Sequence, residues 1–260
     1  MQKPVSESWV RIVSWLRSNA PSELENLGRP ATLDELEAAA LQLGLPLPRD
    51  FKDFLQIVNG TRPEGASSAI FAAGNEWDMA FSPLSLAEIV DAWSMQKDLL
   101  EMGDFAGLEA TASEGVAGDW WNAGWIPFAG NGGGDYYCLD TAPADGGTVG
   151  QVISHSHESG ERAKLANSLA EYLDELAVAL EAGTFVHDPE YGVRKRTAET
   201  ERQMVQRQVR QREEAYQGAD IAFRNQDYDT VVALLEPFKA DLDKVWTAKL
   251  AIAIKRRQSS

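Results

Sequence analysis

His155 and His157 stand two apart in SHSHESGE, with Glu158 beside them. On a β-strand such positions share a face, so two imidazoles at this spacing could share a metal ion. A closed zinc site needs four ligands, and the next histidine, His187, lies about thirty residues on. The expected role is a solvated loop after the last strand, with no metal. Cys138, the only cysteine, falls in DYYCLD between Tyr137 and Leu139. A nucleophilic cysteine needs a base and a lowered pKa. Nothing near it in sequence supplies either, so a small buried hydrophobe is expected. Asp135 and Asp140 could pair for acid–base work, but short Asp side chains more often bond nearby backbone in turns and caps.

The run AGNGGGDYY has the glycines of a phosphate-cradling loop. Such a loop delivers them into a helix N-terminus and is followed by Lys-Ser/Thr. Here they lead into a strand-like segment, which predicts a hairpin turn. In Asp119-Trp120-Trp121-Asn122-Ala123-Gly124-Trp125, adjacent tryptophans on an extended chain point to opposite faces. Trp125 is expected in the core, and one of Trp120 and Trp121 partly exposed. Asp119, Trp120 and Trp121 are therefore the candidate protein-binding residues, since exposed tryptophans beside acids suit an interface. A loop packing over the core explains them equally well. No catalytic constellation and no cofactor site emerge, so a non-enzymatic protein is expected.

The elements that must carry these residues are legible from periodicity. Trp9, Ile12, Val13 and Leu16 mark an amphipathic helix, with Pro21 beyond its end. Thr32 and Glu35 make a capping box, opening a helix that places Leu33, Leu36, Ala40 and Leu43 inward and stops at Gly44. After LPLP, Phe51, Phe54, Leu55 and Val58 predict a third helix, capped at Asn59-Gly60. Ser85 and Glu88 repeat the capping box ahead of Ile89, Val90, Trp93 and Leu100. Between these, AIFAAGNEWDMAF, broken at Gly74-Asn75, predicts two short strands. Strands are also expected at 124–129, 135–140 and 148–154, and a helix from Glu161 to Ala182. Helices before and after an antiparallel meander make an α+β domain, helices packed on an antiparallel sheet.

An opening W-x-x-I helix, the exit Leu47-Pro48-Arg49-Asp50 into the corner Asn59-Gly60, and the strand Trp125-Ile126-Pro127-Phe128-Ala129 come in that order. Gly132-Gly133-Gly134-Asp135, the strand-ending Asp140 and Gly150-Gln151-Val152 follow. This ordered set, over roughly residues 5–185, resembles the SUKH superfamily, named for the Smi/Knr cell-wall regulators of yeast. The stretch 103–124 has no counterpart in the resemblance. What the resemblance implies is binding rather than catalysis. Bacterial members neutralise toxins as immunity proteins, and fungal members act as hubs in cell-wall synthesis and signalling. The family has no catalytic residues to carry over.

Charge divides the chain. The 260 residues carry a net −16, yet residues 1–190 hold 10 Lys+Arg against 30 Asp+Glu, a net −20. Residues 191–260 hold 14 against 10, a net +4. With Pro189, Gly192 and the run Arg194-Lys195-Arg196, this marks an acidic domain 1–190 and a basic helical tail 191–260. The Arg- and Gln-rich start of the tail predicts a helix with Met204, Val205 and Val209 as a thin stripe. Residues 215–237 resemble one tetratricopeptide-type helix pair: Ala219, Ala222 and Phe223, an Asp227-Tyr228 corner, then Val231, Leu234 and Leu235. A further helix runs through Leu242, Val245, Trp246, Leu250 and Ile254. A lone repeat cannot bury its own face, which predicts docking on the domain or a homodimer through the tail.

An acidic chain is a poor match for nucleic-acid phosphates, least firmly so for the Arg-rich start of the tail. No apolar run approaches a bilayer span, no secretory signal opens the sequence, and a lone cysteine forms no intrachain disulfide. A cytoplasmic protein without a membrane partner is expected. The leading expectation is an immunity-type protein occluding a basic toxin with its acidic surface. The alternative is a regulatory scaffold for cell-wall assembly or signalling.

Overall fold

A computed structural model describes residues 3–62, 68–72 and 80–257. The chain forms two compact units, Met1–Arg196 and Thr197–Ser260. The charge break at residue 190 lies a few residues ahead of that division, because HDPEYGVRKR folds into a β-hairpin of the first unit.

The first unit opens with α1 (Val5–Asn19), a short α2 (Pro21–Glu25), α3 (Leu33–Leu43) and α4 (Arg49–Leu55). Strand β1 (Ser82–Pro83), helix α5 (Leu86–Met102) and strand β2 (Thr111–Ala112) follow. Next come β3 (Trp125–Gly130), β4 (Tyr136–Asp140), β5 (Gln151–His155), β6 (Glu161–Arg162) and β7 (Lys164–Ala166). Helix α6 (Leu169–Glu181) and the hairpin β8 (Phe185–Asp188) with β9 (Gly192–Lys195) complete it. The main sheet is antiparallel, in the order β1-β3-β4-β5-β7. Strands β2 and β6 form a separate parallel pair. This is the expected α+β architecture of helices on an antiparallel sheet.

Both capping boxes form. Thr32 and Glu35 exchange bonds at the start of α3, and Ser85 and Glu88 at the start of α5. Gly44 ends α3 in the left-handed region, as its position predicts. Leu33 lies at the first helical position and is exposed, while Leu36, Ala39 and Leu43 turn inward. Helix α4 ends at Leu55, so Val58, though buried, lies beyond it. Asn59-Gly60 is a corner rather than a helix cap: Asn59 Oδ1 accepts the Leu86 N–H at 2.7 Å. Gly60, at φ 67°, passes so close to α5 that a Cβ would meet Ser85 N at 2.2 Å.

The expected helix from Glu161 begins only at Leu169, and residues 161–166 are strands instead. Leu165 falls on helical spacing by coincidence. Ser168 caps α6 by accepting the Glu171 N–H, and the backbone ahead of it pairs with β5. In the 69–81 segment, Phe71 and Phe81 form an antiparallel bridge, while Gly74-Asn75 lies outside the described residues.

Period-two alternation gives the sheet two faces. Phe128 and Tyr137 face α4 and α6, with Phe51 6.3 Å from Phe128 and Tyr172 5.9 Å from Tyr137, ring centre to ring centre. Helix α1 packs on α6, where Arg11 holds both Asp174 and Glu181. Trp125, Tyr136, Cys138 and His155 point the other way, beneath the stretch 103–124. With both faces covered, every residue of β3 and β4 is buried.

In the second unit, α7 (Ala198–Arg224) is one continuous helix, joining the polar segment and the first helix of the predicted pair. Asp227 caps α8 (Tyr228–Leu235), a 3₁₀ turn covers Glu236–Asp241, and α9 (Lys244–Arg257) closes the unit. The three helices bury a core of their own from Ala219, Ala222, Val231, Leu235, Leu250 and Ala253. A third helix thus supplies the cover that a lone pair lacks. Val245 lies on the exposed side of α9.

Candidate functional site

The residues singled out for chemistry are built into the fold. Asn131 Oδ1 accepts the N–H groups of Gly133 and Asp135, making the Gly-rich run the β3–β4 hairpin turn. Asp135 binds His157 twice at 2.9 Å, through its backbone N–H and through Nδ1. Burial opposes ionisation of that carboxyl, but the bonds from His157 and Asn131 hold its pKa below the usual range. Asp140 is fully buried, accepting the Ala142 N–H and the Gln151 side-chain amide, and desolvation raises its pKa. Cys138 is buried and its thiol pKa is pushed well up by desolvation. Among the described residues, no three His, Cys, Asp or Glu side chains gather as a metal site.

His155 departs from the expected solvated loop. It ends β5 and is 2% exposed, its ring 5.0 Å from that of Trp121 and 6.0 Å from that of Tyr136. Neither ring nitrogen makes a hydrogen bond of good geometry, and the Trp120 backbone gives only a weak interaction. Desolvation, reinforced by the Arg162 charge, lowers its pKa to about 3. His157 faces solvent, so the two imidazoles have separate roles.

Trp120 and Trp121 lie in a bend ahead of β3 rather than in a strand, and they differ in burial. Trp121 is 2% exposed and packs on Trp125 and His155. Trp120 is half-buried, with the Arg162 guanidinium 5.2 Å from its ring centre. Asp119 is exposed and accepts the Asn122 side-chain amide at 2.6 Å. The structure therefore makes 103–124 a cover for the sheet and presents Asp119 and one edge of Trp120 to solvent.

A second candidate surface lies elsewhere on this unit. An open groove of about 1090 Å³ runs between the α3–α4 connection, α5 and the turns beyond β4. Leu45, Leu47, Trp93 and Val149 supply apolar surface, and Lys3, Arg49 and Lys97 supply cations. Trp93 is fixed by donating to the Ala123 carbonyl at 2.9 Å, and Lys97 Nζ lies 5.1 Å from its ring centre. Val149, 70% exposed, stands in the turn before β5. An apolar floor with a charged rim is the anatomy of a protein-binding surface.

The profile of the SMI1 / KNR4 family (SUKH-1) matches residues 30–175, more than half of the chain. The chain belongs to the SMI1/KNR4 family. It is 26% identical over 197 residues to "Cell wall biosynthesis/cell cycle regulator smi1" of Schizosaccharomyces pombe, covering 71% of this chain and 38% of the relative. It is 23% identical over 216 residues to "Glucan synthesis regulatory protein" of Neurospora crassa, covering 71% of this chain and 40% of that protein. The chain thus aligns with about two-fifths of the length of these relatives.

In this SMI1/KNR4 domain the groove residues escaped periodicity-based reading, because most lie between elements. The sequence signal was LGLPLP, an apolar run whose two prolines cannot donate to a sheet ladder. Such a run between helices is a wall with side chains to offer. Val149, an exposed aliphatic among turn residues, was the second signal.

Proposed function

We propose that this protein is a non-enzymatic, protein-binding regulator of the type its fungal relatives are named for, acting in cell-wall or glucan synthesis. The observation that carries the reading is the groove between the α3–α4 connection and α5. It is open, about 1090 Å³ in volume, and lined by apolar side chains together with Lys3, Arg49 and Lys97. The names of the two relatives support regulation over toxin neutralisation, the reading that the family resemblance and the chain's acidity together had favoured. The buried or structurally bonded state of Cys138, Asp135, Asp140 and His155 also supports binding.

The test is genetic. Deletion in the source organism should sensitise cells to wall-perturbing dyes and change wall polysaccharide content. The wild-type chain should restore both, and a Val149→Glu chain of equal abundance should not. Normal walls after deletion, or equal rescue by both chains, would overturn the reading. Survival of cells co-expressing a neighbouring toxin gene would instead favour immunity.

A further inference from the structure

We infer that the groove accepts an acidic, apolar segment of its partner, although the unit around it is strongly acidic. This rests on the protein-binding reading above and gives the partner's docking segment a chemistry. Residues 1–190 contain only 10 Lys and Arg against 30 Asp and Glu, yet three of those ten, Lys3, Arg49 and Lys97, line this one groove. Two carboxylates also line it, and they are not equivalent. Asp50 is engaged inside the fold, where Oδ1 accepts the Phe51 N–H at 2.9 Å and Oδ2 accepts the Ala170 N–H at 3.1 Å in the first turn of α6. Asp53 alone presents an exposed carboxylate.

The cations differ in how free they are. Lys3 is paired with Asp174 at 3.0 Å, and Lys97 rests on Trp93 with Glu101 at a loose 3.7 Å. Arg49 forms no ion pair among the described residues. An arriving carboxylate can therefore bond Arg49 outright and draw Lys97 from an exposed pair of little worth. Between these cations the floor is apolar, so the segment must also carry hydrophobic side chains. Pro46 and Pro48 place two residues without N–H donors along the wall, which favours recognition through side chains over addition of a strand. The surrounding negative field repels chains that are acidic throughout and admits one whose acids are confined to the docking segment.

The experiment is selection of random 12-residue peptides displayed on phage against the immobilised full-length chain. The same peptides are then measured, fluorescein-labelled, by anisotropy against wild type, Arg49→Glu/Lys97→Glu and Val149→Glu, each first checked for an unchanged thermal transition. The expected result is enrichment of peptides that interleave Asp or Glu with Leu, Phe or Trp. Their affinity should fall at least tenfold on both variants and weaken as salt rises. Basic peptides that lose affinity on Val149→Glu would overturn the charge assignment and leave protein binding in place. Peptides indifferent to both variants, or no enrichment at all, would overturn the groove as the docking site, while the wall phenotype still judges the regulatory reading separately. Concentration-dependent self-association abolished by either variant would make a second copy of the chain the occupant and overturn the heterologous partner.

Discussion

The guanidinium of Arg162 is buried at the sheet edge, and its Nη2 donates to the backbone carbonyl of Trp120 at 2.6 Å. Its Nη1 reaches the carbonyls of Ser156, Ser159 and Glu161. One side chain thus ties the cover of the sheet to the loop after β5. Burial lowers its pKa to about 10, so it stays charged at neutral pH. Arg162→Met should cost about 3 kcal/mol, because buried carbonyls lose a charged donor together. Urea denaturation should show a lower midpoint with little change in slope. A midpoint shift under 0.5 M would show that the cover is held by other contacts.

His155 sets a pH dependence. Its pKa in the folded chain is about 3 against an ordinary 6.5, so the unfolded chain takes up the proton first. The stability it contributes is complete above pH 6.5 and is lost as pH falls towards 3, by about 1.4 kcal/mol per pH unit. Exposed carboxylates titrate mostly below this window's upper half, so His155→Phe should flatten the decline between pH 6.5 and 4.5. Stability curves of wild type and variant that stay parallel there would contradict the assignment.

Helix α5, which carries Trp93 and Lys97 into the groove, begins under two caps. Ser85 Oγ accepts the Glu88 N–H, and Asn59 Oδ1 accepts the Leu86 N–H. Ser85→Ala and Asn59→Ala should each cost about 1 kcal/mol. Peptide binding at the groove should weaken more for Asn59→Ala, since Asn59 also fixes the corner beside α5. Thermal melts and anisotropy on the same samples check both.

The two units each have a core, so residues 1–196 and 197–260 should fold when expressed separately. The smaller should be helical by circular dichroism but of low stability, as its size dictates. A 197–260 fragment without helical signal would show that its three helices depend on the rest of the chain.

Local chemistry was legible in the sequence wherever a short-range rule decides it. The Thr32 and Ser85 capping boxes, the stop at Gly44 and the turn at Gly132–Gly134 each depend on residues within four positions. The three central strands were marked by short apolar-rich segments separated by Gly-rich turns. Tertiary competition was not legible. Residues 161–166 carry helical spacing, but 161–162 pair with β2 and 164–166 with β5, and Leu33 has the right spacing yet sits at a helix start that points to solvent. His155 and Arg162, polar residues beneath the cover, could be recognised only once 103–124 was seen folded over the second face. The pair Trp120-Trp121 pointed to one partly exposed ring; Trp120 is half-buried, in a bend to which strand alternation does not apply. The groove was the least legible feature, since it gathers Lys3, Arg49, Lys97 and Val149 from four separate parts of the chain.

The most direct test of the central claim places a photo-crosslinking amino acid at Val149 in the full-length chain within its own cells. A control chain carries it at Val178, exposed on α6 and outside the groove. The probe at Val149 should give one or a few discrete adducts that contain proteins of wall-polysaccharide synthesis or its control. These adducts should be lost in Arg49→Glu/Lys97→Glu and absent at Val178. No adduct at Val149, or the same adducts at both positions, would contradict that claim.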